Sequence, residues 1–129
     1  MQIDAAALRC VHARQWTSSA ITTLQREAAR SADTHLLHMT FAGFPGIDFY
    51  FKDEAAHPTG SLKHRLARSL YLYALCNGRL RPGQAVVDAS SGSTAISEAW
   101  FARLLGLEFT AVMPDTTAPG KIEAVRALG

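Results

Sequence analysis

At 129 residues, 48% hydrophobic and 19% charged, the chain has the makeup of one globular domain and not of a disordered or fibrous protein. Thirteen basic against eleven acidic side chains leave a net charge of +2, too weak a balance to draw nucleic acid or an anionic membrane surface. Cys10 and Cys76 are the two cysteines; they lack CxxC spacing and the density of a secreted disulfide scaffold, which points to a reducing cytoplasm.

The first residues carry Asp4, Arg9, His12 and Arg14 with no long apolar run, so neither a signal peptide nor a membrane span is expected. Residues 1–26 read as an ordinary leading helix, with an Arg-rich, acid-poor organelle presequence as the alternative. Trp16, Ala20, Ile21, Leu24 and Ala28 fall at helical spacing, predicting an amphipathic helix over about 18–30 that Ser18 or Ser19 caps. Leu36 to Phe41 and Ile47 to Lys52 are runs of β-formers around Gly43, Pro45 and Gly46, which predicts two strands and a tight connection.

From Ser61 the period changes. Leu62, Leu66, Leu70, Tyr73 and Ala74 share one helix face, expected to point inward, and Asn77-Gly78 is the expected left-handed stop. Arg65, Arg68, Arg79 and Arg81 gather near this helix and read as a solvated face, while Cys76 reads as a packing residue. Arg81-Pro82-Gly83 is a turn, and Ala85 to Ser90 a central strand built on Val86 and Val87. Thr94 to Leu105 reads as a helix with Ile96, Trp100, Phe101 and Leu104 inward and Gly106 as its stop. Phe109 to Met113 is another strand broken by Pro114, and Pro119 opens a last helix with Ile122, Val125 and Leu128 inward. Strand, helix, strand, helix in succession from residue 85 means parallel strands joined by right-handed crossovers. The expected fold class is therefore α/β, a layered parallel sheet with helices on both faces, here incomplete because the helix at the end leaves a sheet edge open.

Two loops carry chemistry. Pro58-Thr59-Gly60-Ser61 is a turn signal running into a helix start, which holds the Lys63 amine near free backbone N–H groups. The positive helix end, protonated His64 and Arg65 are expected to disfavour the ammonium form, and only a neutral amine attacks an aldehyde. The plainer reading is a surface lysine on an amphipathic helix. Ser90-Ser91-Gly92-Ser93-Thr94 lies between a strand end and a helix start, with four hydroxyls and an unobstructed glycine, a place suited to a carboxylate or phosphate. There the plainer reading is a helix cap by Ser93 or Thr94. Both loops fall at corresponding ends of neighbouring elements, where open α/β sheets bind ligands. Other chemistries fail on spacing: no GxxxxGKS/T phosphate loop, no GxSxG elbow, and His35 and His38 on opposite faces of a strand, which spoils shared metal ligation.

Lys52-Asp53-Glu54 followed by Pro58 to Arg65, together with Ser90 to Ala95, Met113-Pro114, Lys121 and Ala127-Leu128-Gly129, resembles the fold-type-II pyridoxal-phosphate enzymes, the group of cysteine synthase, cystathionine β-synthase, threonine synthase and the tryptophan synthase β chain. The resemblance covers about residues 31–129, the N-terminal portion of the catalytic domain, and leaves 1–30 as an N-terminal helical extension. It implies pyridoxal 5'-phosphate as cofactor, Lys63 as the residue that bonds it and moves the α-proton, and Ser90, Ser91, Gly92, Ser93 and Thr94 as the grip on the amino-acid carboxylate. Ser93 is also implied to lie near the cofactor's phenolic oxygen.

His57, His64 and Ser93 stand where asparagine, aspartate and asparagine are common in the family. With Leu66 to Leu70 and Ser97-Glu98-Ala99 they look closest to the L-cysteine desulfhydrase branch. The resemblance thus implies β-elimination of cysteine to pyruvate, ammonia and hydrogen sulfide. The alternatives are cysteine synthase-type β-replacement on O-acetylserine and a non-catalytic remnant that acts by assembly. It further implies a homodimer in the full-length enzyme, and a phosphate-binding loop and a pyridine-nitrogen partner beyond the position of Gly129. An N-terminal fragment with weak cofactor binding and little turnover is the corresponding expectation.

Overall fold

The computed structural model describes residues 4–31 and 34–129; residues 1–3 and 32–33 of the segments named above lie outside the described residues. The chain opens with α1 (Ala5–Ser31). Asp4 caps it, its carboxylate accepting the Ala6 N–H at 3.0 Å. The helix is longer than its apolar period predicts, because Ala5 to Leu8 are strong helix formers that need no buried face to sustain a first turn. Ser18 and Ser19 are therefore mid-helix residues and not caps: their carbonyls accept the hydroxyls of Thr22 and Thr23, each at 2.9 Å. Ala20, Leu24 and Glu27 form the buried stripe.

Strands β1 (Leu36–Met39) and β2 (Phe49–Lys52) pair antiparallel, Leu36 opposite Lys52 and Met39 opposite Phe49. Phe41 and Phe44, in the connection, meet Phe49 edge-on with ring centroids 5.0 and 5.6 Å away. Those edge-to-face pairs fix the connection against the strand.

Helix α2 (Lys63–Cys76) buries His64, Ala67, Tyr71 and Leu75. The expected inward face is thus corrected: Leu62, Leu66, Leu70 and Tyr73 are exposed. Their spacing describes a second apolar stripe, and a histidine in the buried stripe hid the first from a reading based on hydropathy. Cys76 is exposed as well. The helix stops as expected at Asn77-Gly78. Gly78, at φ +64°, donates its N–H to the Leu75 carbonyl, and Arg79 donates to Ala74, the paired closure that satisfies the last turn's carbonyls.

Strand β3 (Val86–Ala89), helix α3 (Ser93–Leu105) and strand β4 (Phe109–Val112) form one crossover, the strands parallel with Val86 opposite Phe109. Helix α4 (Pro119–Arg126) follows, with Pro119 in its first turn. Among the described residues there are two separate two-stranded sheets, β1-β2 and β3-β4. The β3-β4 pair turns Val86, Asp88, Phe109 and Ala111 inward and leaves Val87 and Val112 more than half exposed on its other face. The core joins Ala20 and Leu24 of α1, Ala67, Tyr71 and Leu75 of α2, and Phe101 and Ala102 of α3. On α3 the buried side is Ala95, Ser97, Glu98, Ala99, Phe101 and Ala102, so Leu104, expected inward, is corrected to an exposed position. Small residues there let α2 approach closely, which brings the starts of α2 and α3 side by side.

Candidate functional site

The turn that carries Lys63 is held from its upstream end. Asp53 accepts the Ala55 N–H at 3.2 Å and caps a single 3-10 turn, Glu54–Ala56. Gly60 then donates its N–H to the His57 carbonyl at 2.7 Å with φ +65°, a conformation that strains any residue with a Cβ. Lys63 is the first residue of α2, and Ser61 Oγ accepts its N–H at 3.2 Å. The Lys63 side chain is half-buried, and among the described residues its Nζ has no hydrogen bond or ion pair.

The neighbouring cations do not crowd that amine as expected. Successive helix residues point about 100° apart, and each has its own partner. His64 turns inward and is fully buried, its Nε2 2.8 Å from Glu27 Oε1. Arg65 Nε donates to Glu54 Oε2 at 3.1 Å, and its Nη2 to Thr34 Oγ1 at 3.2 Å. Arg68 Nη1 donates to Glu27 Oε2 at 3.0 Å, and the Arg79 guanidinium lies 5.7 Å from the centre of the Tyr73 ring. The expected solvated arginine face is thereby corrected for Arg65 and Arg68, which are paired and half-buried, whereas Arg79 and Arg81 are exposed as expected.

Around the turn before α2 the polar groups are dense. His57 is buried, its Nε2 2.9 Å from Glu54 Oε2, and its ring stacks on His64 with centroids 5.1 Å apart. Partial loss of solvent raises the Glu54 pKa, but hydrogen bonds from Thr34, His57 and Arg65 outweigh it and hold the carboxyl below its ordinary range. Burial is the main influence on His64 and lowers its pKa, with Glu27 opposing. The ring is therefore neutral near pH 7.

The serine loop follows the carboxyl end of β3. Gly92 is the N-cap of α3, in extended conformation, and no side chain caps the first turn. The plainer reading of Ser93 or Thr94 as caps is therefore not what the chain does. A Cβ placed on Gly92 would meet nothing within 4 Å, so the approach to the loop is open. Ser90, Ser91 and Thr94 are half-buried and Ser93 is exposed.

Thr59 joins the two loops. Its Oγ1 lies 3.0 Å from Ser97 Oγ and 3.1 Å from His64 Nδ1, and Ser97 Oγ is 2.8 Å from the Ser93 carbonyl it donates to. Glu27 was not singled out from the sequence, and Thr59 and Ser97 stood there only as members of motifs, without a link between them. Thr59 and Ser97 are 38 residues apart, and Glu27 and His64 are 37 apart, separations over which no periodic signal operates. An amine unpaired among the described residues, on a turn tied through Thr59 and Ser97 to an uncapped, hydroxyl-rich helix start, has the chemistry to meet an aldehyde at the first and a carboxylate at the second.

Comparison with known proteins points to the same cofactor. Residues 31–129 match the sequence profile of the family described as pyridoxal-phosphate dependent enzyme. The L-cysteine desulfhydrase Cds1 of Mycobacterium tuberculosis is 54% identical over 120 residues, 90% of this chain and 33% of that protein. Cysteine synthase B of Escherichia coli is 36% identical over 84 residues, 65% of this chain and 28% of that protein. Among solved structures, O-ureido-L-serine synthase superposes with a TM-score of 0.71 at 35% identity, over 74% of this chain and 30% of that one. The chain thus spans about a third of the length of the relatives it matches.

Proposed function

The chain belongs to the pyridoxal-phosphate dependent enzyme family, and from that premise we propose that it is the amino-terminal part of a lyase that releases hydrogen sulfide from L-cysteine, with pyruvate and ammonia as the other products. Lys63 is the residue assigned to hold the cofactor and to move the substrate's α-proton. Ser90, Ser91, Gly92, Ser93 and Thr94 are assigned to the substrate carboxylate, with Ser93 also beside the cofactor. The observation that carries this reading is the half-buried Lys63 at the first position of α2, its amine unpaired among the described residues and its turn tied to the serine loop through Thr59 and Ser97.

When bound, pyridoxal phosphate supplies an aldehyde for an amino group and a ring that withdraws electrons from Cα. The chain's own residues divide the remaining work. The uncapped N–H groups at the start of α3 and the hydroxyls around them receive the carboxylate, which fixes the orientation of the Cα–H bond. Lys63 Nζ, in its neutral form, takes the proton from Cα, and loss of the thiol from Cβ follows. Closure of the serine loop over the bound carboxylate keeps water away from the reacting carbon.

The similarity to cysteine synthase B favours one second reading, β-replacement on O-acetylserine with sulfide as the incoming nucleophile. The proposal extends to a homodimer in the whole protein and to a cytoplasmic compartment. No helix among the described residues is long and apolar enough to cross a membrane.

The whole polypeptide, supplied with cofactor, separates the two readings. Release of pyruvate and sulfide from cysteine is the expected result, with Lys63→Ala lowering turnover by about a thousandfold or more. Cysteine formation from O-acetylserine and sulfide, without pyruvate from cysteine, would transfer the assignment to the second reading.

A further inference from the structure

Glu27, His64, Thr59 and Ser97 stand in one hydrogen-bonded line drawn from three distant segments of the chain. With a neutral ring the donors fall in a single order. His64 Nε2–H donates to the Glu27 carboxylate across 2.8 Å, which leaves Nδ1 to accept the Thr59 hydroxyl at 3.1 Å. The Thr59 oxygen is then free to accept from Ser97 at 3.0 Å, and Ser97 shares its proton with the Ser93 carbonyl 2.8 Å away. At the far end, Arg68 Nη1 donates to the second oxygen of Glu27 at 3.0 Å. Every polar atom of the line has a partner, and Glu27, His64 and Ser97 are each less than a tenth exposed.

We propose that these four side chains form a positioning strut that sets the separation between the Lys63 turn and the Ser90–Thr94 loop, with the amino-terminal helix as its anchor. The proposal rests on the reading of Lys63 and the serine loop as the two walls of the site. Thr59 lies four residues before Lys63 and Ser97 four residues after Ser93, so the strut grips each wall within one turn of the group that does the chemistry. An apolar set of equal volume would fill the same space without defining a contact length between the loops. A fully satisfied buried line defines one, because shifting either end leaves a buried donor or acceptor unpaired. Misplacement by about 1 Å at such a distance from the chemistry can cost on the order of a hundredfold in rate. On this account α1 is a structural part of the site, although it contributes no residue to either wall.

The experiment compares Thr59→Val, which keeps the shape and removes the hydroxyl, with Thr59→Ser, which keeps the hydroxyl. Leu24→Val serves as a control in the same core but outside the line. Amide hydrogen exchange is followed in a peptide spanning residues 89–96. The distribution of pyridoxyl label over Lys52, Lys63 and Lys121 is measured after borohydride reduction with pyridoxal phosphate. Thr59→Val is expected to speed exchange at the serine loop by about tenfold and to lower the share of label on Lys63, and Thr59→Ser to restore both. Leu24→Val is expected to lower the melting temperature and leave loop exchange and label share unchanged. Unchanged exchange in Thr59→Val overturns the strut. So does an equal change in Leu24→Val, which would reduce the line to general stability. Wild-type chain that takes no label on Lys63 overturns the assignment of the lysine instead, and the exchange measurement still judges the strut.

Discussion

Glu98 lies buried on α3 with Asp88 of β3 across from it, and burial first, then the Asp88 contact, pushes its carboxyl up to about 7 from an ordinary 4.5. Among the described residues its Oε2 has no hydrogen-bond partner, as suits a group held in the neutral form. The consequence for stability has a definite sign. Between the two values the folded chain holds a proton that the unfolded chain has released. This contribution is therefore complete below about 4.5 and is lost as pH rises through about 7. Denaturant titration from about pH 5 to pH 8 should show a loss on the order of 2–3 kcal/mol, and Glu98→Gln should flatten that slope. An identical slope in the variant would assign the titration to another group. His64 acts in the opposite sense: burial lowers its pKa from 6.5, so its contribution is lost as pH falls below that value.

Helix α3 ends at Gly106, whose φ of +67° places it in the left-handed region, and its N–H donates to the Arg103 carbonyl at 3.2 Å. A Cβ there would meet nothing within 4 Å, so Gly106→Ala tests conformation alone. It should lower stability by about 1 kcal/mol, with Gly106→Asn intermediate; equal stability of all three would show that the cap adds nothing. Such stops were legible in the sequence because they depend on local backbone geometry: Gly78, Gly83, Gly106 and Pro119 each fall where a turn or helix boundary requires them. The strand runs were legible for the same reason. The inward face of α2 was not, since the buried stripe carries His64 and is less apolar than the exposed one, and only contact with α1 and α3 decides between them. Nor was the length of α1, where helix propensity carries the chain past the point at which burial begins. In the proposed site, Lys63 and Ser90 to Thr94 announce themselves by short motifs, whereas the pairing of His64 with Glu27 and of Thr59 with Ser97 exists only once three segments have packed.

At the scale of the molecule, the two loops are brought together by the packing of α2 on α3, with the serine loop at the carboxyl end of a parallel strand, where α/β proteins gather their ligands. The half-exposed faces of β3-β4 and of α2 belong to a chain that spans about a third of the length of its relatives, and the whole polypeptide is the proper material for turnover measurements. The lysine assignment needs less, because Lys63 and the turn that positions it lie within these residues. Mixing the chain with pyridoxal phosphate, reducing with borohydride and locating the added mass by peptide mass spectrometry tests it most directly. The account predicts that the label concentrates on Lys63 and disappears from that peptide in Lys63→Ala; label spread evenly over Lys52, Lys63 and Lys121 would contradict it.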